Sequence, residues 1–85
     1  MAATVRIRLY ATAREAVGHA SLAWEVPPAG IAAKDLLNDL VRRYPALERV
    51  ARESRLVRNA HYLTNRLELV RPGDDFAIHP PYSGG

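Results

Sequence analysis

The hydrophobic period of this chain changes along its length, and that change constrains the fold more than any other feature. Apolar and polar residues alternate over residues 4–10 and again over 22–26, which is the period of a half-buried β-strand. Over residues 31–44 the apolar side chains instead recur every three or four positions, as they do along one face of an amphipathic helix. Alternation returns over residues 76–79. The pattern therefore predicts an α+β fold in which one main helix covers a sheet.

The remaining segments predict how these elements connect. Residues 11–19 are expected to form a loop that joins the first two strands into a hairpin. Pro45 ends the main helix, and the apolar spacing over residues 47–51 indicates a second, short helix. Two short strands are expected around a turn at residues 59–60, followed by a short alternation at Leu67 and Leu69. Residues 71–74, Arg-Pro-Gly-Asp, predict a type II turn before the last strand, because Gly73 accepts the positive φ that this turn requires.

The predicted architecture is a roll with a mixed sheet and the main helix packed across one face. The side chains expected in its core are Val5, Ile7, Leu9, Trp24, Leu36, Leu37, Leu40, Val41, Phe76 and Ile78. This arrangement leaves the C-terminal tail projecting from the end of a buried strand. Tyr10 and His79 are then expected to face outward on neighbouring strands, either as part of a contact patch beside the tail or as ordinary exposed aromatic side chains.

Composition excludes several classes of site. The chain has 85 residues, which is enough for one domain with a single small core. It contains no Cys, so the sequence excludes disulfides, thiolate metal sites and a cysteine nucleophile, and its three His lack the spacing of metal ligands. No apolar run approaches the roughly 18 residues of a membrane span. We therefore expect no metal, no membrane contact and a cytoplasmic location.

The chain is basic, with eleven Arg, one Lys and a net charge of +3. The arginines are spread from Arg6 to Arg71 without the interleaved aromatics that stack on bases, so we expect no binding to nucleic acid. An acidic patch on a protein partner is an equally good target for these charges.

The last residues are Pro80-Pro81-Tyr82-Ser83-Gly84-Gly85. Two glycines make a thin and pliable segment that can enter a narrow channel and present its carboxylate to another enzyme. The prolines stiffen the start of this segment. The sequence therefore predicts a folded domain over residues 1–80 and a flexible tail over 81–85, against the alternative of an ordinary frayed end.

Four stretches of the chain resemble the ubiquitin-like sulfur carriers, and among them the small subunits of molybdopterin synthase (MoaD). They are VRIRLYATAREAVG from Val5, AKDLLNDL from Ala33, RPGDDFAI from Arg71 and PPYSGG from Pro80. The last is the most specific. The resemblance implies a ubiquitin-like β-grasp roll.

The chain departs from the family pattern at three places. Ala60 stands where the family often has the glycine of an Asn-Gly turn, and we expect a different turn type because alanine at positive φ is strained. Tyr82 replaces a common valine, and His79 replaces an aliphatic or aromatic residue. These differences bear on partner identity more than on the chemistry.

The resemblance also implies a function. A partner adenylating enzyme of the ubiquitin-activating type uses ATP to activate the carboxylate of Gly85, and a sulfur donor protein converts it to a thiocarboxylate. The tail, thin at Gly84, then enters the large synthase subunit, where sulfur passes to a pterin precursor of the molybdenum cofactor. The catalytic residues would lie on that large subunit, and the carrier would hold no permanent cofactor. The residues that contact partners are expected to be Tyr10, His79, Pro80, Pro81, Tyr82 and Ser83.

Other interpretations stay open. The same activated glycine serves a ubiquitin-like protein modifier, or a sulfur carrier for tRNA thiolation or thiamine. A small structural adaptor would instead work without the tail. Asp74 and Asp75 are expected to shape the turn and not to act as an acid–base pair. Arg14 and Glu15, in the expected loop, are either a solvated pair or a partner contact.

Overall fold

The computed structural model describes residues 3–81, and these form seven strands and three α-helices. The strands are β1 (Thr4–Leu9), β2 (Ser21–Glu25), β3 (Ile31–Ala32), β4 (Arg55–Arg58), β5 (His61–Tyr62), β6 (Leu69–Val70) and β7 (Asp75–His79). The helices are α1 (Ala11–Val17), α2 (Ala33–Arg43) and α3 (Glu48–Glu53), with a 3₁₀ turn (Pro45–Leu47) leading into α3. The predicted α+β class and the short helix after Pro45 are confirmed.

Five strands form one mixed sheet in the order β2-β1-β7-β4-β5. β7 lies at its centre, parallel to β1 and antiparallel to β4. β1 also pairs with β2 in antiparallel fashion, while β3 and β6 form a separate two-stranded sheet. The last described strand is therefore the middle one of the five.

The helices pack on one face of this sheet, which we call the covered face. Its buried side chains are Val5, Ile7, Leu9, Ala13, Val17, Leu36, Leu37, Leu40, Leu47, Ala51, Leu56, Phe76 and Ile78. They include eight of the ten predicted core residues. The other two, Val41 and Trp24, are only half-buried, because Trp24 lies on the edge strand β2 and Val41 at the margin of the buried stripe of α2.

Residues 11–17 form helix α1 and not the expected loop. Alanine favours helix, and Gly18 ends α1 with a φ of 87°, from which its N–H donates to the carbonyl oxygen of Arg14 at 2.7 Å. Ala13 and Val17 lie four positions apart and are buried. A helix of two turns with one small and one medium buried side chain gives too short a periodic signal to separate it from a loop. The first two strands thus pair as expected, but a helix connects them.

The turn between β4 and β5 also corrects an expectation. Asn59 and Ala60 have φ of 50° and 70°, the two positive values that a type I′ hairpin turn requires. Ala60 therefore adopts the conformation that we expected it to avoid. Asn59 is held by β7, since its N–H donates to the carbonyl oxygen of Asp75 at 2.8 Å and its Oδ1 accepts from the Asp75 N–H at 2.9 Å. These contacts fix the turn despite the alanine.

The turn before β7 has the predicted type, whereas the short strand before that turn begins two residues later than the alternation at Leu67 and Leu69 suggested. Gly73 has a φ of 89°, and the Asp74 N–H donates to the carbonyl oxygen of Arg71 at 3.0 Å, as in a type II turn. Leu67 is exposed and lies before β6, in which Val70 is the buried residue. The expected pair of apolar residues is thus not the pair that packs.

Candidate functional site

The C-terminal tail leaves the domain from the central strand. β7 ends at His79, Pro80 is half-buried and Pro81 is exposed. Since β7 is bonded to both β1 and β4, the start of the tail is anchored to the middle of the sheet. Four predicted site residues lie outside the described residues, namely Tyr82, Ser83, Gly84 and Gly85. The division into a domain over 1–80 and a tail over 81–85 stays a prediction.

Tyr10 and His79 meet at the start of the tail. The parallel pairing sets Leu9 opposite Ile78, so the next residue of each segment lies at the same end of the sheet. Their rings stack with centroids 4.5 Å apart and planes inclined by 26°. Tyr10 keeps 42% of its surface exposed. The structure thus brings together the two residues that the sequence placed beside the tail, while their binding of a partner stays a prediction.

An ion pair lies next to this stack on the face of the sheet away from the helices, which we call the open face. The Nε of Arg8 donates to both carboxylate oxygens of Asp75, at 3.0 and 3.2 Å. Both side chains are about half-exposed. The hydrogen bond and charge of Asp75 raise the pKa of the Arg8 guanidinium further above its usual value, so Arg8 stays charged. Sequence reasoning missed this pair, because its members are 67 positions apart and meet only through the β1–β7 register.

The two carboxylates before and at the start of β7 are occupied by structural contacts. Asp74 accepts from the Arg71 N–H at 2.8 Å and from the Nδ2 of Asn59 at 3.1 Å. Asp75 accepts from Arg8. The contacts tie the type II turn, the β4–β5 turn and β1 together, in agreement with the structural role that we expected for Asp74 and Asp75.

Two shallow depressions flank Arg8 on the open face. The first, the Ala77 depression, has a volume of about 220 Å³ and is lined by Arg8, Tyr10, Val57, Ala60, Asp75, Ala77 and His79. The second, the arginine groove, has a volume of about 340 Å³ and is lined by Arg6, Arg8, Leu9, Tyr10, Arg14, Ala20 and Ser21. Both share Arg8 and Tyr10. The start of the tail therefore lies beside two adjoining depressions, one of mixed apolar and charged lining and one that is basic.

Arg14 and Glu15 lie on helix α1 and not in a loop, and both are exposed. The helix aims Arg14 at the arginine groove, beside Arg6 and Arg8. The helical propensity of residues 11–17 could have predicted that Arg14 lies near Arg6 and Arg8. In a helix, Arg14 lies one turn after Tyr10, which lines the same groove.

Neither a metal centre nor a membrane span is found in the described part of the chain. Over residues 3–81, no three side chains of His, Cys, Asp or Glu come close enough together to hold a metal ion. Within the same residues, each helix is too short or too polar to cross a bilayer.

Comparison with known proteins gives consistent matches over nearly the whole chain. The ThiS family matches residues 7–85. The molybdopterin synthase sulfur carrier subunit of Arabidopsis thaliana is 36% identical over 81 residues, which are 95% of this chain and 82% of that protein.

Solved structures with the same fold include a small archaeal modifier protein and a molybdopterin-converting factor. SAMP1 from Haloferax volcanii matches with a TM-score of 0.82 and 29% identity, covering 96% of this chain and 99% of its own. The Helicobacter pylori complex of subunits 1 and 2 of molybdopterin-converting factor contains a chain that matches with a TM-score of 0.67. At 16% identity, over 96% of this chain and 99% of that one, this second match shows the fold alone.

These matches agree with the sequence of the C-terminal residues and with the fold. The family match extends through the Gly-Gly end, and the solved relatives share the mixed sheet with helices on one face, which is the ubiquitin-like β-grasp. The chain therefore belongs to the ThiS family and is a ubiquitin-like sulfur carrier of the MoaD type.

Proposed function

We propose that this chain is the sulfur-carrier small subunit of a molybdopterin synthase. The observation that carries the proposal is the sequence Pro-Pro-Tyr-Ser-Gly-Gly, which follows the central strand β7 of a β-grasp sheet along the chain. The name of the Arabidopsis relative supports the assignment to molybdopterin synthesis.

The chemistry resides in the C-terminal carboxylate. A carboxylate is a poor acyl electrophile, so an adenylating enzyme of the ubiquitin-activating type joins it to AMP from ATP and releases pyrophosphate. Hydrosulfide supplied by a donor protein then attacks the acyl carbon of Gly85, the bond to AMP breaks and AMP leaves, and loss of one proton gives a thiocarboxylate. In the large synthase subunit this sulfur passes to the pterin precursor, and two carriers supply the two sulfurs of one dithiolene.

The domain contributes position and a docking surface. Pro80 and Pro81 restrict the backbone at the start of the tail, which lowers the entropy lost when the tail enters a partner. The stacked Tyr10 and His79 lie beside that start and offer a partly apolar contact. The partner thereby receives the tail from a fixed point, and the residues that act on the acyl group belong to the partner.

The test is the intact mass of the chain after incubation with ATP, a sulfur source and an adenylating enzyme from the same genome. We expect a species whose added mass equals the exchange of one oxygen for one sulfur. The matched control is a chain lacking Gly85, which should stay unmodified and melt at the same temperature. If the full chain also stays unmodified, the carrier proposal fails. If the truncated chain is modified, the tail mechanism fails.

Protein modification is the second candidate, and the likeness to SAMP1 favours it. A modifier would transfer the activated Gly85 to a lysine amine, forming an isopeptide and releasing AMP. The chain itself has a single lysine, Lys34, which is exposed at the start of α2. Two reactions with the same enzyme and ATP therefore separate the candidates. Without a sulfur source, a covalent dimer that Lys34→Arg abolishes supports the modifier. With a sulfur source, a monomeric thiocarboxylate and no dimer supports the carrier.

A further inference from the structure

The arginine groove collects three guanidinium groups from two elements at the start of the tail. Arg6 and Arg8 project from β1 onto the open face, and Arg14 projects from α1. Within residues 3–81, the rest of the lining is Leu9, Tyr10, Ala20 and Ser21, none of which carries a carboxylate. The groove thus combines positive charge with a surface on which a backbone can lie.

The charges in this groove are less compensated than those on the helices. Over residues 3–81, Arg8 pairs with Asp75, while Arg6 and Arg14 form no ion pair. On the opposite side of the domain the arginines have local acidic partners: Arg42 pairs with Asp39, Arg49 with Glu53 and Arg52 with Glu48. Among the described residues, three of the four arginines on α2 and α3 therefore have an acidic partner, Arg43 being the exception, whereas two of the three in the groove lack one.

We propose that the arginine groove binds a carboxylate-bearing segment of the protein that receives the tail. The identity of that protein rests on the proposed function. The groove shares Arg8 and Tyr10 with the surface around His79, so a protein that takes up the tail also covers the groove. Guanidinium groups bind carboxylates through paired N–H donors, and available charges at such a rim accelerate association.

Carboxylates fit this groove better than the phosphates of RNA. Binding of single strands combines basic grooves with aromatic rings on which bases stack. Among residues 3–81, Tyr10 is the one aromatic residue in the lining, and His79 already covers one face of its ring. The described lining therefore has the charge for either ligand but does not offer the series of aromatic rings on which successive bases stack.

The first experiment uses the full chain and two probes: an acetylated, amidated eight-residue peptide of glutamate and glycine, and an RNA oligonucleotide of equal charge. Backbone and arginine Nε–H signals are followed by NMR at low and physiological salt. We expect the peptide to shift the signals of Arg6, Arg14, Ala20 and Ser21 and to bind at least as tightly as the RNA. Tighter binding of the RNA to the same signals, or peptide shifts spread evenly over all arginines, would overturn the proposal.

The second experiment compares two double variants that lose equal charge. Arg6→Gln with Arg14→Gln should slow association with the large synthase subunit from the same genome by about ten-fold at low salt, with less effect at high salt. Arg42→Gln with Arg49→Gln, on the helical side, should leave the rate within about two-fold. Equal effects of the two pairs would refute the groove. If neither the variants nor the parent chain binds that subunit while the peptide still binds the groove, the proposed function fails and the groove stands.

Discussion

The two faces of the sheet are built by different means, although the central strand contributes to both. On the covered face, Phe76 and Ile78 of β7 have no exposed surface. On the open face, Asp75 forms an ion pair with Arg8, and His79 stacks on Tyr10. One strand thus holds the core with alternate residues and presents the candidate site with the residues between them.

The difference separates stability from recognition. Removing apolar area from water stabilises the covered face, at about 25 cal/mol per Å². Half-exposed ion pairs and stacked rings contribute little net stability, because water competes with both partners. Substitutions on the open face should therefore change binding with little effect on folding, and those on the covered face should do the opposite.

The strongest test of this separation uses two residues of β7, one on each face of the sheet. Phe76→Ala should lower the free energy of unfolding by about 3–5 kcal/mol, because it removes a buried ring and leaves a cavity. His79→Ala, in the same strand, should lower it by less than about 1 kcal/mol. Both values follow from urea denaturation monitored by circular dichroism. A loss for His79→Ala as large as that for Phe76→Ala would show that the open face is part of the core.

The second test concerns the affinity of the open face for a partner. Tyr10→Ala should weaken binding to the large subunit by about 1–2 kcal/mol, or about five- to thirty-fold in the dissociation constant, as for a typical aromatic anchor. Tyr10→Phe keeps the ring and should bind nearly as the parent chain does. The exposed Leu67, which lies in the loop before β6, provides a control: Leu67→Ala should leave the constant unchanged.

The comparison would be refuted by calorimetry that gives the same constant for Tyr10→Ala and the parent chain. The interface would then lie elsewhere, and the helical side near Arg49 and Arg52 would be the first surface to examine.

The third test addresses backbone strain beside the Ala77 depression. Ala60 has a φ of 70°, a conformation that costs an L-residue about 1–2 kcal/mol and costs glycine nothing. Glycine also has more conformational freedom in the unfolded chain, which lowers the free energy of unfolding by about 0.4–1 kcal/mol. Relief of the strain outweighs this loss, so Ala60→Gly should stabilise the domain by about 0.5–1 kcal/mol. Ala23→Gly, in the extended strand β2, should instead destabilise it by about 0.5–1 kcal/mol. Effects of the same sign would mean that the turn is not strained.

The covered face was largely predictable from sequence, and the open face was not. Burial imposes a period, so the alternation around Ile7 and Phe76 and the helical spacing of Leu36 and Leu40 identified the core directly. The type II turn was equally predictable, because the ring of Pro72 restricts φ at the first central position and Gly73 accepts the positive φ of the second.

Three features escaped because their causes are not local. The Arg8–Asp75 pair depends on the parallel register of strands at opposite ends of the chain. The positive φ of Ala60 is held by contacts between Asn59 and β7. Helix α1 has local support from its alanines and from Gly18, but a helix of two turns is not stable alone, and the packing of Ala13 and Val17 that stabilises it depends on the rest of the fold. The stacking of Tyr10 on His79 was predictable in outline, since it required only that the first and last strands be neighbours.

The smallest expected effect is a loss of stability at acidic pH. It concerns Glu68, in the loop before β6, which is hydrogen-bonded to the first residue of α2. Glu68 accepts hydrogen bonds from the Oγ1 and N–H of Thr64 and the N–H of Asn65, and it pairs with Arg58. Its carbonyl oxygen accepts from the N–H of Ala33, the first residue of α2. The hydrogen bonds, above all that from the Thr64 hydroxyl, lower the pKa of the Glu68 carboxyl below its usual value of 4.5.

Because this pKa is lower in the folded state, the contribution of Glu68 to stability is complete above the ordinary pKa of 4.5 and is lost as pH falls through the folded-state value. Glu68→Gln removes the titrating group and should flatten part of the decline in stability between pH 5 and that lower pKa. Asp39→Asn, on the exposed side of α2, serves as the matched control. Urea denaturation of the parent chain and the two variants from pH 7 downward measures how the free energy of unfolding changes with pH. If it declines as steeply for Glu68→Gln as for the parent chain, Glu68 does not contribute to the acid dependence.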